Sequence, residues 1–491
     1  MNVFRTDLRA GLGIFTGTLV ILSLFAWERT KTPSPHFHFV DLAHSFLNGR
    51  LDTDTPRKTA ASVGQEPDAP DGLAEAIDRA TTGPNGNRQG WNDWASYRVL
   101  TLKDGEVLSG VFPWKDQKDD RRHEFHGLDG QTYHIDCGRD VRSGCYGNKA
   151  EHVRYYVSFP PFPAVLLTPL VAVLDYRVND VWFTLFFGAL NAALFFALLQ
   201  FVVRKGHSER SRGDNVWLTV LFVFGTVYLF SAVRGEVWFT ALVVGVTMHI
   251  CALFFLIEMG KKWWIGGLLV GCALATRTPL VFLCTLPALH FLFPDGKLRR
   301  ADWGKALGTT TTFALPVAVT LAVIFWYNAA RWDNPLEFGH TYLVEGMRDA
   351  IRRHGLMSSW FFGGNLSAAF LNPPVLTTEG GTPLRITYHG LGLIWTTPVL
   401  LLLAATPKRT PLFKKLMWTA FVVALPGLFY QNTGWQQFGY RFGLDWLPLL
   451  VLAFAVGGRP LTGRVKALIL LGVAVNVFGA ITFGRYAQFY Y

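Results

Sequence analysis

Apolar residues along this chain fall into long, nearly charge-free runs rather than short amphipathic stretches. The runs lie at 11–27, 181–203, 215–233, 237–257, 263–276, 278–294, 306–330, 390–407, 416–438, 446–458 and 467–484. Most are long enough for a helix to cross a bilayer core of roughly 30 Å. A twelfth run, 155–174, contains Pro160, Pro161, Pro163 and Pro169. Prolines at that density would leave freed carbonyls facing lipid, so this run is expected to be re-entrant or juxtamembrane. The pattern predicts an all-α polytopic membrane protein with about eleven transmembrane helices.

Basic residues decide between orientations. If 155–174 does not cross, Arg204, Lys205, Arg210 and Arg212 fall on the same side as the later clusters around Lys297, Lys408 and Arg459. The positive-inside rule then puts the N-terminus in the cytoplasm and the C-terminus outside. No small-residue cleavage site follows the first run, which reads as an uncleaved signal anchor.

The polar stretches divide the rest. Residues 1–54 hold the first span and a juxtamembrane segment, 55–154 an outer insertion, and 155–491 the remaining bundle with outer loops at 331–389 and 431–445. Within the insertion, 55–90 reads as a loose linker rich in Pro, Gly, Asp and Ala, with a short helix at 73–79. From Trp91 the residues alternate, and Asp104-Gly105 and Asp129-Gly130 are hairpin signals, so a small β-rich subdomain is expected at about 91–150. Cys137 and Cys145 lie in its Gly-rich end and are candidates for a disulfide. Three elaborate outer loops against short inner ones place function on the outer face.

Composition narrows the classes. Of 491 residues, 50% are hydrophobic and 16% charged, against about 25% in soluble chains. The net charge of +11 comes from basic loops between spans, so nucleic acid is not an expected partner. P-loop, HExxH and CxxC motifs are all missing, which argues against nucleotide hydrolases and zinc proteases. The histidines, among them His36, His38, His44 and His134, show no tight ligand spacing, and no metal or other cofactor is expected.

The candidate chemistry begins at HFHFVDLAHSFLNGRLDTD, residues 36–54. Phe39, Val40, Leu42, Phe46 and Leu47 alternate with Asp41, His44, Ser45 and Asn48 as in a short helix on a membrane face, closed by Asn48-Gly49. Asp41 is then either a solvated loop carboxylate or a general base at headgroup level. Arg277 separates two runs whose helices would be about 21 and 25 Å long, so it sits at the membrane edge, binding an anion or snorkelling. Arg234 and Glu236 flank a tight turn and form either an ion pair or part of a site. Arg441 and Asp445 are spaced i,i+4 and either pair or serve a ligand. Three arginines on charge-poor outer turns point together to an anionic ligand.

This order of parts resembles the GT-C superfamily of polytopic glycosyltransferases, in its bacterial protein-mannosyl and lipid A aminoarabinose transferase branch. YVSFPPFPAVLLTPLVAVL is similar to that branch's juxtamembrane segment. GLLVGCALATRTPLVFL is similar to its hairpin with a basic residue, and FGYRFGLDWLPLL to its late outer-face motif. The resemblance implies a GT-C-like fold and an inverting transfer of sugar from a polyprenyl-phosphate donor to an acceptor hydroxyl, at the outer face of a bacterial cytoplasmic membrane. Asp41 would be catalytic, with Arg234, Glu236, Arg277, Arg441 and His38 binding substrate. The family's acidic pair is not matched here, where Val40 precedes Asp41 and His38 lies nearby. The base is therefore open between Asp41 and Asp52 or Asp54. The competing class is a secondary transporter or flippase for an anionic substrate.

Overall fold

The computed structural model describes residues 2–34, 36–53, 94–111, 122–127, 131–142, 153–258, 262–294, 303–340, 353–377 and 381–490. Among the described residues helix predominates and strands are few, as expected for a helical membrane protein.

In chain order the helices are α1 (Asn2–Ala26), α2 (His38–Leu47), α3 (Phe162–Leu174), α4 (Asp180–Arg204), α5 (Arg212–Phe224), α6 (Tyr228–Ala232), α7 (Val237–Leu256), α8 (Trp263–Leu274), α9 (Thr285–Leu292), α10 (Trp303–Trp332), α11 (Phe362–Leu366), α12 (Leu393–Thr396), α13 (Pro411–Phe429), α14 (Leu447–Val456) and α15 (Gly463–Thr482). Six segments among the described residues are long and apolar enough to cross a membrane: Leu8–Thr30, Asp180–Arg204, Val237–Leu256, Thr310–Trp332, Pro411–Phe429 and Gly463–Thr482. Trp263–Leu274, Thr278–Leu292 and Leu447–Val456 are shorter apolar helices.

Several runs that read as single spans are broken, each at an identifiable residue. The run 215–233 stops at Gly225, which caps α5, and resumes as α6. Past Pro279 the chain winds as a 3₁₀ helix, Thr278–Cys284, before α9. The run 390–407 becomes α12 and, from Pro398, a second 3₁₀ helix ending at Ala405. Proline lacks the N–H that an α-helix needs at these places.

The chain divides into two compact units. The first comprises Met1–Lys31, Asp180–Leu321 and Met357–Tyr491. Its core is helix on helix: α1 packs on α4, α4 on α7, and α7 on α8. Two glycines on α8 let α10 approach closely, since a Cβ at Gly267 or Gly271 would overlap the Phe313 carbonyl or the Thr320 side chain. Buried polar groups bond across helices, as when Asn191 Nδ2 donates to Tyr228 Oη and to the Val243 carbonyl, both at 2.9 Å. Such pairing removes the penalty of isolated polar atoms in an apolar interior.

The second unit comprises Thr32–Asn179 and Ala322–Leu356. Among the described residues it holds five antiparallel strands: β1 (Trp94–Thr101), β2 (Val107–Val111), β3 (Arg122–Gly127), β4 (Thr132–Asp136) and β5 (Val153–Val157), in the order β4-β3-β2-β1-β5. The hairpin expected at Asp104-Gly105 joins β1 to β2, with Thr101 opposite Val107. The linker at 55–90 and the turn at Asp129-Gly130 lie outside the described residues. The strand β5 takes residues 155–157 from the run assigned to the membrane edge, because VRYYV is rich in β-formers and ends before Pro160. What remains of that run is α3, about 20 Å long and too short to span.

Candidate functional site

In the second unit, α2 begins after Phe37, whose carbonyl accepts the N–H groups of Val40 (2.8 Å) and Asp41 (3.3 Å). Asp41 therefore lies in the first turn, where the helix dipole favours a negative charge. The helix ends at Leu47, and Gly49 adopts φ +67°, a conformation glycine accepts without strain. The polar face differs from expectation. Asp41, Ser45 and His38 are buried, and Leu47 is exposed. Both the apolar and the polar residues of α2 are covered by protein, and α3 is among the elements packed against it. Phe39 meets Phe159 edge-on, while His44 stacks on Tyr176 and places Nε2 3.3 Å from Asp175 Oδ1. Burial pushes the His38 imidazole well below its usual range, so at neutral pH it is uncharged and can meet a ligand only through hydrogen bonds.

In the first unit, three arginines and three phenylalanines interleave. The Arg277 guanidinium lies 5.4 Å from the Phe442 ring. Arg441 lies 5.7 Å from the same ring and 5.3 Å from Phe239. Arg234 lies 5.0 Å from Phe239 and 4.9 Å from Phe483. The rings attract the cations and also separate them, which lowers the cost of crowding like charges.

Each element presents its arginine for a local reason. Arg277 is the extended residue between α8 and the 3₁₀ helix that follows. Arg441 opens the 3₁₀ segment Arg441–Asp445, with its N–H donating to Gln437 Oε1 at 2.9 Å. Arg234 precedes α7, and its guanidinium lies against Gly484, whose φ of +72° disfavours any side chain there.

The carboxylates are distributed otherwise than the spacing suggests. Asp445 does not take Arg441 as its ion-pair partner. Its two oxygens accept from Arg277 Nε and Nη2 at 2.7 Å each. Burial works against the Arg277 charge, but the Asp445 carboxylate more than offsets it, so the group's affinity for its proton is raised. Glu236 does pair with Arg234 through both oxygens. Burial would raise the Glu236 pKa, yet the Arg234 charge and hydrogen bonds bring it to about 2.

Other residues here escaped the sequence reading. Arg29 Nη2 donates to the Phe483 carbonyl at 2.8 Å. Arg485 donates to the carbonyls of Phe25 and Ala26 at 2.9 Å, and to Glu28 at 3.1 Å. Arg331, in the second unit, is buried and donates to the carbonyls of Val157 and Tyr327 and to Asn328. The only sequence signal for these was a basic residue beside an apolar run.

Asp41 and His38 belong to one unit and the arginines to the other. Asp52 is half-exposed, 3.9 Å from Arg50, and Asp54 lies outside the described residues. Cys137 is disulfide-bonded and buried beside Leu100, Leu108, Ile135 and Val141, whereas Cys145 lies outside the described residues. Among the described residues no group of three or more His, Cys, Asp or Glu side chains is arranged to hold a metal ion. Compared with family models, curated protein sequences and solved structures, the chain matches none.

Proposed function

We propose that this protein is a GT-C-like membrane glycosyltransferase that moves a sugar from a polyprenyl-phosphate donor to an acceptor hydroxyl, with inversion. The observation that carries this reading is the row of Arg234, Arg441 and Arg277 alternating with Phe239 and Phe442. A lipid phosphate at headgroup depth requires cations that are fixed and shielded from water, and this row supplies them. Asp445 and Glu236 each hold one edge of a guanidinium and fix its plane, and Arg234 is fixed further by its Nη1 donating to the Phe483 carbonyl at 3.2 Å.

In the reaction as the family resemblance implies it, the acceptor oxygen attacks the anomeric carbon and gives its proton to a carboxylate base, the role the resemblance assigns to Asp41. The bond from that carbon to the phosphate oxygen breaks, and the lipid phosphate leaves with the electron pair. The arginines stabilise its growing charge. His38, neutral, orients a hydroxyl by hydrogen bonding.

The reading includes eleven crossings, the N-terminus in the cytoplasm of a bacterium, and chemistry on the outer face of its cytoplasmic membrane. Transfer is tested with the purified protein in lipid, a radiolabelled polyprenyl-phosphate hexose and extracted envelope acceptors. Label passing to an acceptor, and failing to pass with Arg277→Ala, supports it. Donor binding with no transfer to any acceptor supports the flippase class instead.

A further inference from the structure

Along the exposed side of α1 runs a groove of about 530 Å³, completed by Trp182 of α4. Its volume falls within the ~300–1,000 Å³ usual for small-molecule sites. The far end is aliphatic, formed by Leu19, Val20 and Leu24. Ser23 adds no free donor there, because its hydroxyl donates to the Leu19 carbonyl at 2.7 Å. Trp27 and Trp182 wall the other end, and Thr30 and Lys31 form its mouth.

The polarity therefore runs one way, from hydrocarbon through tryptophan to ammonium. From Leu19 to the end of α1 at Ala26 is about 10 Å at a rise of ~1.5 Å per residue, and the 3₁₀ turn Trp27–Thr30 follows, within reach of the ~15 Å that is half the bilayer's hydrocarbon core. Tryptophans at the wet end match the interfacial belt of membrane proteins. Trp27, which lines the groove, also holds a left-handed backbone, φ +45°, unusual for a bulky residue.

The mouth is cationic. Lys31 is exposed and makes no ion pair among the described residues, and Glu28 beside it is engaged by Arg485.

We propose that this groove binds one anionic glycerophospholipid, with an acyl chain along Leu19–Leu24 and its phosphate at Lys31. The site does not depend on the sugar-transfer reading. Native mass spectrometry of the protein released from nanodiscs tests it, with dioleoyl-phosphatidylglycerol and dioleoyl-phosphatidylcholine as probes. Unaltered protein should retain the anionic lipid about fivefold better, the preference one lysine near a headgroup provides. Lys31→Gln should abolish that preference, and Leu24→Trp should lose both lipids. Val319→Trp, on the exposed face of α10, should change neither. Should Leu24→Trp fail to fold, a phosphatidylglycerol with a photoreactive acyl chain must still label residues 19–31 of the unaltered protein. Equal retention of the two lipids, labelling elsewhere, or displacement by equimolar undecaprenyl phosphate would overturn the proposal.

Discussion

Arg277 and Asp445, 168 positions apart, meet through two parallel hydrogen bonds of 2.7 Å. The pair is nearly dry, with side-chain exposures of 13% and 6%. Removing one partner leaves an uncompensated charge, so Arg277→Ala or Asp445→Asn should each cost about 3–5 kcal/mol of stability. Replacing both with apolar residues, Arg277→Met with Asp445→Leu, should restore most of it while leaving transfer dead. Thermal unfolding in detergent beside a transfer assay separates the two effects. A double variant that regains turnover would exclude Arg277 from the phosphate site.

Asp41→Asn keeps the size of the side chain and removes its proton affinity. Turnover should fall by roughly 10²–10⁴-fold with donor affinity and expression preserved. Asp52→Asn should be mild, since Asp52 is half-exposed and only loosely paired. Near-normal rates in Asp41→Asn would dismiss it as the base.

The Glu236 pKa is about 2, below the ordinary 4.5 for its type. A depressed carboxylate stabilises the fold fully above its ordinary value and loses that contribution as pH falls towards the folded one. Stability should therefore drop by roughly 3 kcal/mol between about pH 4.5 and 2. In Glu236→Gln the same window should be flatter and stability at pH 7 lower. Chaotrope unfolding followed across pH 2–7 reads both, and equal slopes in the two proteins would refute the assignment.

How far these groups could be read beforehand depended on distance along the chain. Arg234 and Glu236 lie two residues apart across one turn, and their pairing was among the readings the sequence allowed. The C-terminal end of α2 at Asn48-Gly49 and the hairpin at Asp104-Gly105 were likewise visible, because turn residues mark them locally. Asp445 was different. Its i,i+4 spacing from Arg441 suggests a pair only if the segment is α-helical. The segment is a 3₁₀ helix, in which four residues on is about 120° around the axis, and so the carboxylate turns to Arg277. The buried side of Asp41 was hidden for a related reason. A hydrophobic pattern shows that a helix has two faces, but not that protein packs over both of them, as it does over α2. Neither Arg29 nor Arg485 carries a signal that distinguishes a helix clamp from a snorkelling side chain.

Cysteine accounting checks the insertion. Five cysteines are present, and Cys251, Cys272 and Cys284 are free thiols. Alkylation of denatured protein should therefore modify three cysteines without reductant and five with it. Five without reductant would remove the Cys137–Cys145 bond.

Orientation is open to labelling in intact cells. Glu209 and Leu376 are strongly exposed, at 84% and 81%. A membrane-impermeant maleimide should react with Leu376→Cys and spare Glu209→Cys. The opposite pattern would invert the topology.

The contacts of α1 with the stretch after α15 have a consequence for biosynthesis. Arg29 waits for the carbonyl of Phe483, and the carbonyls of Phe25 and Ala26 wait for Arg485, with more than 450 residues between the two sides. At roughly 5–20 residues per second, translation needs about 20–90 s to bring them together. For that interval the first helix must survive in the bilayer without its latch. Only 17% of its most apolar window is buried by protein, so lipid can shelter nearly all of it from the moment of insertion. Its end, with Arg29 lacking its acceptor, stays free to shift depth until translation reaches Arg485.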